Sequence, residues 1–279
     1  MTPDRAHRTE RLAPFFEAQL LLARRMAELT GGRLSDFAFS HTHLYRRLGF
    51  EALTSAGPGA GWLAYATALD STADLAGQVA LTQAVFLRAQ DETWPLPGQA
   101  GFGCFAHEPP ASDGGVKIHF YNLDTDEAGG PLAREKRSRR HADLAAIVRN
   151  IAEAHPEATS IRGRSWLYNL EAYRRLFPPD YAASRAPAPG PLRLTGTSSW
   201  GQLIDSREVI RPDVRNAFVA GLADLDVGKA WTAFPFPQLV VSAPLGVFLR
   251  PWGSSCAISS CSNLAARAII KPQRSAAVG

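Results

Sequence analysis

Apolar positions along this chain follow two periods, and the switches between them mark its elements. Leu12, Phe15, Phe16, Leu20, Ala23, Met26 and Ala27 recur at the roughly 3.6-residue spacing of an amphipathic helix over 12–29, which Gly31-Gly32 closes. Ser35-Asp36 can cap a second helix with Phe37, Leu44 and Leu48 on one face and Gly49 at its end. Trp62 to Ala68 reads as a short strand, and Asp70-Ser71-Thr72 opens a helix to about Arg88. Trp94-Pro-Leu-Pro-Gly98 is a rigid turn segment.

The most legible stretch runs from Gly101 to Tyr181. Gly101–His107 and Val116–Asn122 are strand-like runs flanking Pro109-Pro-Ala-Ser-Asp-Gly-Gly, which predicts a hairpin with a long loop. Val116, Ile118 and Phe120 alternate with Lys117, His119 and Tyr121, so one set faces a core and the other solvent or a site. Leu144, Ile147, Val148 and Ile151 mark a helix from Ser138 to Ala154, stopped by His155-Pro156. Thr159–Trp166 is strand-like, and Asn169–Phe177 is a short helix ended by Pro178-Pro179.

Ala182–Pro191 has the Ala- and Pro-rich composition of a linker. Beyond it come a strand near 192–195, a helix opened by Pro212-Asp213 and an apolar stretch over 239–249 interrupted by Pro244. The pattern predicts an α/β protein: a mixed central sheet with flanking helices, and a smaller C-terminal region. Residues 1–181 form the main domain, 182–191 a linker, 192–252 the smaller region packed on it and 253–279 a disordered Ser- and Ala-rich tail. No period of about 20–50 residues recurs, which excludes solenoids and propellers. The echo of Tyr45-Arg-Arg-Leu in Tyr173-Arg-Arg-Leu is a helical tetrad that chance supplies.

Composition narrows the function classes. With 46% hydrophobic and 20% charged residues among 279, the chain can bury a sizeable core and is not disordered as a whole. Lys+Arg 30 against Asp+Glu 26 leaves a net charge of +4, too small for coating a nucleic acid. No signal-peptide core follows the polar start and no run is long enough to span a bilayer, so a cytoplasmic protein off the membrane is expected. Cys104 stands alone among aromatics, and Cys256 and Cys261 match no common metal or redox spacing.

The charge is local. Arg134-Glu-Lys-Arg-Ser-Arg-Arg140 carries five cations and one carboxylate, a net equal to that of the whole chain. Cations at a helix start oppose the macrodipole unless an anion is bound there, when free N–H groups, dipole and guanidinium forks all point at it. The alternative is internal pairing with Asp124, Asp126 and Glu127 just upstream. His41-Thr-His43 would share a face only in a strand, and the segment reads as helical. His119 with Asp124 and Asp126 is a possible nitrogen-and-carboxylate set, though no metal is expected. Nucleophile-elbow, Walker and dinucleotide-binding fingerprints are absent.

The order strand, strand, loop, cationic helix start, strand, then Asn169-Leu-Glu-Ala-Tyr-Arg-Arg-Leu-Phe177 resembles the second half of a GNAT-type N-acyltransferase, over about 101–181. In that family the loop and helix start after the central strand hold the coenzyme A pyrophosphate. A later Asn-x-x-Ala-x-x-Leu-Tyr segment flanks the pantetheine arm and often supplies a tyrosine acid. Asn169 and Ala172 match that segment, Arg175-Leu176 replaces its Leu-Tyr, and Gly129-Gly130-Pro131 stands where the pyrophosphate loop should be. The resemblance implies acyl-CoA held by Gly129, Gly130, Arg134, Arg137, Ser138, Arg139 and Asn169. It implies a small amine acceptor, with His119 as base and Tyr173 as acid. A V-shaped splay between neighbouring parallel strands, pointing at Ser138, is the expected counterpart. Two other functions compete: a metal-assisted hydrolase using His119 and nearby carboxylates, and a non-catalytic protein whose basic cluster docks an acidic partner.

Overall fold

The computed structural model describes residues 3–50, 57–89 and 98–250. The chain begins with helices α1 (Pro3–Arg11), α2 (Ala13–Thr30), α3 (Leu34–His41), α4 (Leu44–Arg47), α5 (Ala60–Ser71) and α6 (Leu75–Arg88). Strands β1 (Ala100–Phe102), β2 (Phe105–His107) and β3 (Gly115–Phe120) follow, then α7 (Arg137–Ala154) and β4 (Ser160–Ser165). The rest comprises α8 (Glu171–Arg174), α9 (Pro179–Ala183), β5 (Ala186–Pro187), α10 (Thr197–Trp200), α11 (Pro212–Gly221), β6 (Leu239–Pro244) and α12 (Leu245–Phe248).

The protein is mixed α/β, with a six-stranded sheet of order β1-β2-β3-β4-β6-β5 and helices around it. Only β3 and β4 run parallel, because α7 carries the chain back between them; every other neighbouring pair is antiparallel. One face of the sheet is apolar: Val116 and Ile118 of β3, Ile161 of β4 and Val241 of β6 pack against Leu144, Ile147, Val148 and Ile151 of α7. Lys117, His119, Arg162 and Arg164, of opposite parity, lie on the other face.

A second core joins α2, α5 and α6 to residues 194–236. Trp200 is its wedge, with its ring against Phe15, Phe218 and Phe234 and its indole N–H donating to the Leu194 carbonyl at 2.8 Å. Residues 192–250 therefore divide between two cores, since β6 and α12 complete the sheet. Glu208 ties the N-terminal helices to this later segment: Arg8 donates to it at 2.9 Å and Arg47 pairs with it.

Several elements differ from the pattern's expectation. Residues 62–68 are helical, within α5, because Trp62, Tyr65, Ala66 and Leu69 form a buried face at helical spacing. Helix α6 begins at Leu75, capped by Asp74, because Asp70 is drawn away to the backbone N–H and hydroxyl of Ser35. The second helix breaks into α3 and α4 at Thr42, whose backbone is extended. The run 101–107 folds back on itself at Gly103, which takes a positive φ of 57°, giving two strands instead of one.

The segment 182–191 is no free linker, since β5 lies in it and pairs with β6. Residues 192–195 form no strand, and 166–177 consist of a 3-10 turn (Trp166–Asn169) followed by α8. Residues 94–97 of the predicted turn and the 253–279 tail, with Cys256 and Cys261, lie outside the described residues.

Burial opposes ionisation of Glu208, but Arg8 and Arg47 more than offset it and hold its carboxyl at about 2. A depressed folded-state value contributes stability above the unfolded value of about 4.3 and loses it as pH falls through the folded one. Stability should therefore drop between about pH 4 and pH 2. In Glu208→Gln that drop should shrink, with pH 7 stability lower by on the order of 3 kcal/mol. Urea unfolding at several pH values measures both; parallel pH curves for the two proteins would count against the clamp.

Candidate functional site

The most informative local geometry is where β3 and β4 stop pairing. Their parallel ladder holds Gly115↔Ser160, Val116↔Ile161 and Lys117↔Arg162, and ends there. Each strand then runs on with another partner: β3 stays with β2 to Phe120, and β4 with β6 to Ser165. Residues 118–120 and 163–165 thus flank an unpaired gap between parallel neighbours. Beyond Lys117↔Arg162 the two strands make no ladder bonds to each other, and Ile118 and Gly163 are buried there.

Helix α7 starts on the same side. Tyr121, the first residue after β3, donates its N–H to the Cys104 carbonyl at 2.8 Å, and the Cys104 N–H donates to Asp143 in the second turn of α7 at 3.2 Å. The helix start is therefore docked at the same end of the sheet as the gap, against the β1–β2 turn.

Much of the basic cluster is internally satisfied. Arg140, only 2% exposed, pairs with Asp124 at 2.9 Å and with Asp143 at 3.0 Å, and its guanidinium also touches the Cys104 sulfur. Lys136 is buried between Asp124 and Asp126, and donates to the carbonyls of Asp124 at 2.7 Å and Gly129 at 2.9 Å. Arg139 donates to Asp124 at 2.8 Å. Burial opposes ionisation of Asp124, yet Lys136, Arg139 and Arg140 prevail and hold its carboxyl below the usual range. Burial instead pushes Asp143 up. Arg134, Arg137 and Ser138 remain exposed, and among the described residues the two arginines enter no ion pair.

The other implied residues scatter. Gly129 and Gly130 precede the helix start, with Gly130 against Ser206, where a Cβ would overlap its hydroxyl. Asn169 donates to the carbonyls of Trp166 at 2.6 Å and Pro237 at 2.9 Å, which engages its amide in clamping a turn. His119 and Tyr173 lie on opposite sides of the sheet. The Tyr173 ring packs 5.2 Å from Phe120, and strand alternation puts the adjacent His119 on the other face.

His119 Nε2 lies 2.6 Å from Glu108 Oε1, which Lys117 also reaches at 3.2 Å. Burial and the Lys117 charge lower the His119 pKa against the opposing pull of Glu108, leaving a neutral imidazole at pH 7. Tyr173 is buried beside Tyr168 and Phe177, and desolvation raises its pKa well above the ordinary value. Tyr168 and Tyr181 bring their hydroxyls within 2.9 Å of each other. A Cβ on Gly163 would overlap both hydroxyls, so this glycine seats the tyrosines where the β3 ladder ends.

Neither metal set assembles. Asp124 and Asp126 turn to the cationic cluster while His119 turns to Glu108, and no three potential ligands converge among the described residues. His43 is buried, which with Arg47 and Arg46 drives its pKa down to about 3, while the His41 ring lies tilted 5.6 Å from that of Phe37. No helix of the described residues is long and apolar enough to cross a membrane.

Sequence reasoning missed Glu108, Gly163 and Arg164. Glu108 could have been found from the hairpin, which sets it beside Lys117; the others needed the sheet register. Comparison with protein-family models, with curated proteins and with solved structures finds no match for this chain.

Asp124→Asn should destabilise the protein by about 3 kcal/mol, because it removes one of two carboxylates facing a guanidinium that cannot deprotonate. Urea denaturation measures this, and a change under about 0.5 kcal/mol, the scale of an ordinary surface substitution, would refute it.

Proposed function

We propose that the protein is an acyl-CoA-dependent N-acyltransferase acting on a small amine, with the architecture of the GNAT-type enzymes that residues 101–181 resemble. The observation that carries this reading is the β3–β4 ladder, which ends at Lys117↔Arg162 on the side where α7 begins. Exposed Arg134, Arg137 and Ser138 fit a pyrophosphate, since two cations and a helix start offer charge-assisted bonds to phosphate oxygens. Arg139 adds a third cation on the rim, shared with Asp124.

The acyl-CoA thioester supplies an activated acyl carbon, and transfer exchanges its C–S bond for a C–N bond to the amine. Residues 118–120 and 163–165 hold the acyl end as a guest strand in their gap. Neutral His119 accepts the proton the attacking amine must lose, with Glu108 stabilising the imidazolium formed. From the opposite face Tyr173 delivers a proton to the departing sulfur, and its raised pKa keeps that proton in place beforehand. Both groups border the unpaired end of β3, one on each side of the sheet.

Calorimetric titration with acetyl-CoA and longer acyl-CoAs should show binding that weakens in Arg137→Glu/Arg139→Glu. Absence of binding at millimolar ligand overturns the proposal. With an amine acceptor, His119→Gln should lower kcat on the order of a hundredfold. The acid limb of kcat/KM should lie below pH 6.5, with activity lost as falling pH protonates His119, and should vanish in that variant.

A further inference from the structure

On the open face of the sheet, three basic side chains flank the β3–β4 junction besides His119, and two are matched by carboxylates. Lys117 pairs with Glu108 at 3.2 Å, and Arg162 with Asp113 at 2.8 Å. The third is Arg164, exposed on β4 and without a carboxylate partner among the described residues.

Its position follows from the register. Lys117↔Arg162 is the last parallel pair, so two residues further His119 and Arg164 share one face on opposite sides of the gap. Its orientation is built in. Arg164 Nε donates to Gln238 Oε1 at 2.9 Å, and the Gln238 amide donates to the Ser199 hydroxyl at 2.7 Å. Gln238 and Ser199 are both buried, so the inner edge of the guanidinium is anchored. Its two terminal nitrogens enter no hydrogen bond or ion pair with a described residue. A guanidinium fixed at one edge with two parallel N–H donors at the other matches a carboxylate.

We infer that Arg164 binds the carboxylate of the acceptor, so that the amine acylated is that of an amino acid. This rests on the acyltransferase reading above. With the carboxylate on Arg164, the amino group lies on the same face as His119, which the neighbouring strand carries. The residue is a specificity determinant, since Arg164 itself neither gives nor takes a proton.

The test uses the full chain with acetyl-CoA and matched sets of acceptors: amino acids, their C-terminal amides and the corresponding decarboxylated amines. Free amino acids should have kcat/KM on the order of tenfold to a hundredfold above their amides. Arg164→Gln should abolish that preference, mainly through KM, and Arg164→Lys should restore part of it. Titration with the N-acetyl amino acid product provides a readout independent of turnover, and Arg164→Gln should weaken its binding while acetyl-CoA still binds as to wild type. Amides or decarboxylated amines acylated as well as the acids, or an unchanged preference in Arg164→Gln, would overturn the inference and leave the acyltransferase standing. Failure of wild type to bind acetyl-CoA would overturn both.

Discussion

A single buried guanidinium organises the end of the sheet where the site lies. Arg140 cannot shed its charge, so burying it obliges the chain to bring carboxylates to it. Asp124 comes from the loop after β3 and Asp143 from the next turn of α7. Asp143 in turn accepts the Cys104 N–H in the β1–β2 turn, whose carbonyl receives the first N–H after β3. One ion network thus docks the start of α7, the loop leading to it and two hairpin strands. The direction of α7, and with it the parallel sense of β4, follows from that docking.

The same network divides the basic cluster by role. Lys136 and Arg140 are consumed in folding, Arg139 is shared, and Arg134 and Arg137 are left for solvent or a ligand. Charge counting along the chain could pose the choice between an anion site and internal pairing, but the two are not exclusive. A helix start carrying five cations needs some of them neutralised before the rest can be arrayed, because like charges around a macrodipole of the same sign repel. Aspartates from the preceding loop do that here.

Beneath the gap between β3 and β4, Gly163 admits the hydroxyls of Tyr168 and Tyr181, and Tyr173 packs between Phe120 and Tyr168. Aromatic rings therefore close the buried side of an opening whose other side carries His119 and Arg164.

Apolar periodicity alone specifies the elements in which it is strong: the long helices 12–29 and 138–154, strand 116–120 and its alternation, and the α/β class. The sequence also located the cationic helix start and the residues of β3 that face away from the core. Tertiary structure decided what depends on partners. Residues 62–68 became helical because a second core received Trp62 and Tyr65 on one helical face. Asp70 was drawn to a distant serine, which left Asp74 to cap α6, and the Ala- and Pro-rich segment 182–191 was recruited as an edge strand. The site divided likewise. His119 was legible from alternation within one strand. Arg164 was not, because its meaning lies in the register across a gap with no hydrogen bonds to announce it, and register is set by packing between elements far apart in the chain.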